Sequence, residues 1–506
     1  LLDGCSSPQD LAQAAAQAGL PALTLTDHDA LYGAVEFYDA CLQVGVKPII
    51  GMELTLDGSD SALGDGHRNE EDHDSLVLLA RNLEGYSNLC RLSSALQTQP
   101  DRETLLQRGL PQSELEGRTG GLIALSGGPR GRIDRLIRAG RPRQAEGIAA
   151  TWTDVFGKDG FAVELQIQAP GDDVIAGSLT ALAGRLGVGT VATNNVHYLT
   201  PDAADQCRLL NALDALQPLE QMMPREGLHL APAEEMVETF AEFPEALAYT
   251  ASIAERCQLE LTLGRPIFPE IELPPDQTAG DVLRAQATAG AEQRYGSLDD
   301  EQRSRLDYEL TTIDSLGYAP LFLIVADVVG YAREQGIPVN LRGSAAGSLV
   351  AYCLGISAVD PIALDLYFER FLNPERRDPP DIDLDLCSRR REEVIRHIYR
   401  RFGQDRVATI CTYARLRARS AWREVAKAFR LPQARIDAVA GQVPRYWHPG
   451  MGPEVEAAKE GLLAAAQDDR EREALEAAWA LDGHPRHLSV HPGGVVIAPG
   501  PLTDLV

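Results

Sequence analysis

Lysine is scarce in this chain: four of its 47 basic residues are lysines and the rest are arginines. Whatever cationic work it does falls to a planar, always-charged group suited to bidentate phosphate contacts. Aromatics are also few, at 6%. The eight cysteines are scattered without a Cys-x-x-Cys pair, which excludes a zinc knuckle and gives no disulfide framework. Long apolar runs are missing. The longest, Ala319 to Val329, is interrupted by Asp327 and is too short to span a bilayer. No signal-peptide pattern opens the sequence, so a cytoplasmic location without membrane contact is expected. What is abundant is acid, 74 Asp and Glu for a net charge of −27. Spread evenly, that charge would repel nucleic acid. With 44% apolar residues over 506 positions, two to four globular domains are expected.

The charge is not spread evenly. Between Ser388 and Arg430 stand thirteen basic residues against four acids. Arg389, Arg390, Arg415, Arg417 and Arg419 are the candidate contacts to a phosphate backbone, although an amphipathic, solvated helix face would look similar. Just before this segment lies Pro379-Pro380-Asp381-Ile382-Asp383-Leu384-Asp385-Leu386. On a strand, the three carboxylates would share one face and the three apolar residues would pack behind them. Like charges so close call for a cation, and carboxylates holding Mg²⁺ suit phosphoryl or nucleotidyl transfer. An exposed acidic edge strand is the plain alternative. Upstream, Arg342-Gly343-Ser344-Ala345-Ala346-Gly347-Ser348 offers small residues whose amides can approach a phosphate, with Ser344 and Ser348 as hydroxyl donors. The apolar Leu349 to Ile356 predicts a helix after it. Arg370 and Arg376, in Phe368-Glu369-Arg370-Phe371-Leu372-Asn373-Pro374-Glu375-Arg376, add fixed positive charge.

That ordered set, from Gly343 to Asp385, closely resembles the palm of bacterial C-family DNA polymerases, a family comprising the alpha subunit of DNA polymerase III and its error-prone paralogues. The resemblance extends over essentially the whole chain, with a late landmark at Arg486 to Ile497. It implies two Mg²⁺ ions held by Asp381 and Asp383, and incoming nucleotide bound by Arg342, Gly343, Ser344 and Arg370. Asp385 matches the motif without being assigned as a primary ligand. The implied reaction is DNA-templated nucleotidyl transfer to a primer 3′-hydroxyl, in replication, translesion synthesis or repair. Primer-template DNA and deoxynucleoside triphosphates are the implied substrates. A sliding clamp, a clamp-loader subunit and a proofreading exonuclease are the implied partners. The family's third palm Asp, fingers and C-terminal domains are expected beyond Val506, so the 506 residues alone are expected to be inactive. Two departures touch this site: Leu341 stands where the family usually has Gly, and Leu386 where it has Phe.

Residues 1 to about 200 alternate helical and strand-like stretches, with short strands expected at Leu23–Thr26, Pro48–Leu54, Leu76–Ala80, Leu122–Ser126, Ala162–Gln166 and Thr190–Asn194. The order Thr26-Asp27-His28-Asp29, Gly51-Met52-Glu53 and Asn195-Val196-His197 resembles a PHP domain, a phosphoesterase-like (β/α)₇ barrel. The resemblance implies metal ligands at His28, Glu53 and His197, with His73 as a substitute for a lost histidine, and Zn²⁺ or Mn²⁺ as the candidate ions. Ser75 and Asn195 stand where ligands are usual, and both are poor ligands for a catalytic cluster. A structural PHP domain with weak or no exonuclease activity is therefore expected. The resulting fold class is multidomain α/β: a PHP barrel with a helical extension over residues 1–264, a polymerase-beta-like nucleotidyltransferase palm over 265–412, a helical thumb over 413–490, and a return to the palm over 491–506. Tyr413, Trp422 and Trp447 are either core residues or stacking platforms. A PHP-type 3′–5′ exonuclease and a non-catalytic DNA-binding protein remain as alternatives, and the replicative and error-prone branches are not separated by these motifs.

Overall fold

The computed structural model describes residues 2–58, 73–264, 267–269, 271–373, 380, 382–443 and 453–505. Asp381, Arg376, His67 and Trp447 lie outside the described residues. The chain forms two compact units, one of residues 1–261, 411–490 and 503–506, the other of residues 262–410 and 491–502.

In the first unit, six strands lie side by side in chain order: β1 (Ala22–His28), β2 (Lys47–Asp57), β3 (His73–Ala80), β4 (Leu122–Leu125), β5 (Phe161–Leu165) and β6 (Gly189–Ala192). Each strand expected from the sequence is present. β3 runs antiparallel between β2 and β4, whereas β1–β2, β4–β5 and β5–β6 are parallel. Helices cover one face, and Ile50, Met52, Leu54 and Leu56 of β2 point into that large core with Leu78, Phe161 and Trp152. On the other face, the alternate residues Ile49 of β2, Leu79 of β3, Ile123 and Leu125 of β4, Ala162 of β5 and Val191 of β6 form a smaller cluster. Because side chains alternate, Glu53 and Glu164 fall on this second face. The parallel β1–β2 register then sets His28 beside Glu53. β5 is buried at all five positions, and Glu164 is the one carboxylate among its four apolar residues. Truncating Phe161, which has no exposed surface, to Ala should cost about 3–5 kcal/mol of stability, measurable by denaturant unfolding.

The same unit holds a helical cluster. Helices Ala204–Asp214, Ala418–Ala428, Gln433–Gln442 and Asp469–Ala480 surround Trp422, whose indole N–H donates to the Ile436 carbonyl at 2.9 Å. Trp422 is thus a core residue and not a stacking platform. Tyr413 donates its hydroxyl hydrogen to the Tyr32 carbonyl and meets the Tyr32 ring edge-on.

The second unit is built on three helices, Ala279–Tyr295, Asp300–Ser315 and Ala319–Glu334. The first two open with capping boxes, Thr278 with Asp281 and Asp299 with Gln302, which satisfy orphan amides at both helix starts. Their apolar stripes, Leu283, Ala287 and Ala291 on one and Leu306, Leu310 and Ile313 on the next, pack with Phe322, Leu349 and Phe368. Ala319–Glu334 is the apolar run noted in the sequence; it buries Phe322, Ile324, Val328 and Val329. Among the described residues no single helix is long and apolar enough to cross a membrane. β7 (Val339–Arg342) and β8 (Asp383–Leu386) form an antiparallel pair, and β9 (Val407–Arg415) and β10 (Pro485–Ile497) form a separate two-stranded sheet.

Candidate functional site

The β7–β8 register places Arg342 opposite Asp383 and Leu341 opposite Leu384. Asp383 and Asp385 are exposed on one face of β8, while Ile382, Leu384 and Leu386 are partly buried against the cores behind it. The period of two read from the sequence is therefore present from Ile382 to Leu386. Arg342 reaches across to both acids, 3.5 Å from Asp383 and 3.7 Å from Asp385. A guanidinium stands where two like charges need a cation, and all three side chains are solvent-accessible, so the contact is loose and exchangeable. Two hard carboxylate oxygen donors held open on one face fit Mg²⁺. Among the described residues, no cluster of three His, Cys, Asp or Glu side chains is arranged around one metal position. Leu341 does not crowd the adjoining loop, because its side chain is buried in the core.

Gly343 follows Arg342 with φ +83° and ψ −161°, a conformation essentially confined to glycine. The chain then turns through the short 3₁₀ segment Ser344–Gly347, leaving Ser344 exposed. A second 3₁₀ turn, Phe368–Arg370, packs against the first. The approach is close: a Cβ on Gly347 would lie 2.8 Å from the Tyr367 carbonyl oxygen. Arg370 is exposed and has no ion pair among the described residues. Arg342, Gly343, Ser344, Arg370 and Asp383 thus sit on adjoining segments of one unit.

Ser348 departs from expectation. Its side chain is fully buried, and its hydroxyl donates to Glu309 at 2.9 Å while accepting from the Ala351 amide. The Val350 amide donates to Glu309 as well, at 3.1 Å. The helix that follows is only Leu349–Cys353, shorter than the apolar run suggested, and its first turn is already satisfied internally. Ser348 is therefore not a phosphate donor.

The candidate backbone-binding arginines differ among themselves. In the second unit, Arg389 is exposed, but Arg390 makes a bidentate pair with Glu393 at 2.8 Å and donates to the Gln335 carbonyl. In the first unit, Arg415 donates to the Gly483 carbonyl, Arg419 donates to the Val443 carbonyl, and Arg417 precedes the helix Ala418–Ala428 with its backbone amide donating to the Ser420 hydroxyl. Arg390 and Arg419 are engaged within the fold; Glu393 lies only three positions from Arg390, but the Gln335 and Val443 carbonyls have no side-chain signature in the sequence.

On the inner face of the six-stranded sheet, His28, Glu53 and His197 do come together, but around partners the sequence reading missed. His28 pairs with Asp3 at 2.7 Å and with Glu53 at 3.1 Å. His197 and Arg225 both approach the other Asp3 oxygen, at 3.3 and 3.2 Å. Arg130 pairs with Glu53 at 3.0 Å, and the Ser75 hydroxyl donates to the same oxygen at 2.7 Å. Asp3, His28, Glu53, Arg130, His197 and Arg225 border a cavity of about 1640 Å³. Two guanidinium groups thus occupy the carboxylates that a metal would need, so the residues present do not fit a Zn²⁺ or Mn²⁺ cluster. His73 is not a substitute ligand. It lies at the start of β3 opposite Asp57, four residues from the level of Glu53, and bonds to the Arg108 carbonyl. Asn195 serves the backbone, adopting φ +46° before Val196, a left-handed conformation that asparagine tolerates.

The network has a pH signature. Burial pushes the Asp3 carboxyl up, but hydrogen bonds with His197 and His28 outweigh it and hold it well below the ordinary value of 3.8. Burial lowers His28, but its hydrogen bond with Asp3 and the charge of Glu53 leave it above the ordinary 6.5. A lowered acid stabilises the fold above its unfolded value and loses that contribution as pH falls through its folded value. A raised histidine stabilises below its unfolded value and loses that contribution as pH rises through its folded value. Both contributions are complete between pH 3.8 and 6.5. The melting-temperature gap between wild type and Asp3→Asn should be widest in that window and shrink on either side; a gap constant from pH 4 to 9 would contradict the assignment.

Comparison with known proteins bears on both regions. The PHP domain family matches residues 1–168, and the family described as "Bacterial DNA polymerase III alpha NTPase domain" matches residues 281–506. An error-prone DNA polymerase of Symbiobacterium thermophilum is 39% identical over 532 residues, covering 100% of this chain and 47% of that protein. The DNA polymerase III subunit alpha of Bacillus subtilis is 36% identical over 513 residues, covering 100% of this chain and 44% of that protein. The chain therefore spans about half the length of the curated relatives it matches. Among solved structures, an amidohydrolase from Chromobacterium violaceum aligns with 38% of this chain and 84% of its own at 16% identity and a TM-score of 0.23, too low to carry an argument. The chain thus carries a PHP domain followed by a bacterial DNA polymerase III alpha NTPase domain, and along its whole length it is similar to error-prone DNA polymerases and DNA polymerase III alpha subunits.

Proposed function

We propose that this chain carries the nucleotide- and metal-binding face of a DNA-templated DNA polymerase. In that reading residues 265–412 and 491–506 form the palm and residues 413–490 the thumb. The observation that carries it is the pair of exposed carboxylates, Asp383 and Asp385, facing Arg342 across β7–β8 and bordered by the glycine-only turn at Gly343. Mg²⁺ ions held by Asp383 and Asp381 would supply acidification of the primer 3′-hydroxyl and neutralisation of the leaving pyrophosphate.

The chain's own residues position the substrate. Gly343 and Ser344 present amide and hydroxyl donors to the triphosphate, and Arg370 stands free to meet its charge. Arg342, loosely held by Asp383 and Asp385, can swing to the phosphates once other positive charge offsets the acids. The 3′-oxygen attacks the α-phosphorus, the bond to the β-phosphate oxygen breaks, pyrophosphate departs and the hydroxyl proton passes to solvent. Primer-template DNA and deoxynucleoside triphosphates are the substrates in this account. A sliding clamp, a clamp-loader subunit and a proofreading exonuclease are proposed partners that rest on the family resemblance alone.

Primer extension by the full product of the gene encoding this chain, with Mg²⁺ and four deoxynucleotides, tests the reading. Extension in the wild type, and none in Asp381→Asn or Asp383→Asn, is the expected result. Nuclease activity without extension would move the chemistry to the cluster of His28, Glu53 and His197. DNA binding with neither activity would make the chain a non-catalytic binder.

A further inference from the structure

The helix Asp300–Ser315 carries Arg305 and Glu309 one turn apart, and Glu309 is fully buried. Arg305 Nε donates to Glu309 Oε1 at 2.7 Å. Glu309 Oε2 accepts from the Ser348 hydroxyl at 2.9 Å and from the Val350 amide at 3.1 Å. The guanidinium continues outward: Nη2 donates to the Gly347 carbonyl and to the Leu366 carbonyl, each at 3.1 Å. Two side chains thereby tie three segments together. One is the helix. The second is the turn that begins at Gly343, and the third is the stretch leading to Arg370.

Helix stability does not explain this pair. A cation N-terminal to an anion is the less favourable order along a helix. Burying an ion pair also costs desolvation that an apolar pair of equal size would avoid, so a buried pair is poor evidence of stability and is better explained by a role in fixing geometry. The bonds it makes are directional and end on backbone groups of both loops that flank the exposed residues Ser344 and Arg370. By filling the first turn of Leu349–Cys353, Glu309 also closes that end to an anion. Phosphate is then left with the Gly343–Ser344 end of the turn.

We propose that Arg305 and Glu309 are positioning residues for the incoming nucleotide: a buried clamp that sets the spacing between the Gly343–Ser344 turn and Arg370. The inference rests on the polymerase reading above. Neither side chain touches substrate in this account; they act through the two loops.

Single-nucleotide incorporation by the full gene product, with KM for the nucleotide, kcat, primer-template affinity and melting temperature measured together, tests it. Arg305→Lys keeps the charge but cannot hold Glu309 and two carbonyls at once. It should raise nucleotide KM about 10- to 100-fold while primer-template affinity stays within about 2-fold. Ser348→Ala, a smaller change that leaves the ion pair in place, should raise KM about 3- to 10-fold and serves if Arg305→Lys does not fold. A merely structural role would lower melting temperature and active fraction, hence apparent kcat, with KM unchanged. Unchanged KM in a folded variant beside an active wild type overturns the clamp alone. No incorporation by the wild type removes the polymerase reading and the clamp with it.

Discussion

Asp383→Asn should slow nucleotide incorporation on the order of 10³-fold, equivalent to about 4 kcal/mol of transition-state stabilisation, while nucleotide KM changes little. The reason is differential. Charge develops on the attacking and leaving oxygens only as the reaction proceeds, so a lost metal ligand is felt mainly in kcat. Asn keeps the size of Asp and the strand pairing of β8 but is a neutral, weaker donor. Asp383 is half exposed and opposite Arg342 at the open edge of the pair, so the substitution removes no core contact. Asp385→Asn is the matched control. It faces the same way and contacts the same arginine, but is not assigned as a primary ligand. An effect below about 10-fold is expected for it, from the altered field around Arg342 alone. Equal losses at both positions would place the metal-binding pair at 383 and 385.

The second large effect is expected at Gly343→Ala. A Cβ there meets nothing within 4 Å, so no clash is involved. The cost is conformational: φ +83° with ψ −161° is a region that alanine cannot adopt without about 1–3 kcal/mol of strain. The turn would relax by rotating its amides away from the phosphate position, and nucleotide KM should rise about 10- to 100-fold. Melting temperature should move by only a few degrees. Gly347→Ala is expected to do more to the fold and less to specific contacts, because its Cβ would press on the Tyr367 carbonyl oxygen at 2.8 Å. A Gly343→Ala protein with unchanged KM would remove this turn from nucleotide binding.

The legibility of these features in the sequence follows their range. The strand at Asp383 could be read because a period of two needs only adjacent residues, and the six strands of the first unit because their apolar runs are local. Long-range partners could not be read. Asp3, Arg130 and Arg225 converge on His28, Glu53 and His197 from segments separated by up to 222 positions, and nothing in their neighbourhoods marks them. Ser348 looked like a phosphate donor because hydroxyl and glycine are what such loops use, and only Glu309, 39 residues away, shows that the hydroxyl is taken. One signal was present for Glu309. It sits on the same stripe as Leu306, Leu310 and Ile313, and a lone carboxylate on a core-facing stripe requires a partner. The basic stretch from Ser388 to Arg430 misled in part for the same reason: charge can be counted from the sequence, but carbonyl contacts such as Arg390 with Gln335 and Arg419 with Val443 engage these guanidinium groups only in three dimensions.

The most direct measurement is anomalous diffraction from crystals of the full gene product soaked with Mn²⁺ and a non-hydrolysable deoxynucleoside triphosphate. The account predicts two peaks about 3.5–4 Å apart beside Asp383, with the triphosphate between Gly343 and Arg370, and no peak at Asp3, Glu53 and His197. Manganese at the histidine-bearing cluster, with none beside Asp383, would contradict it.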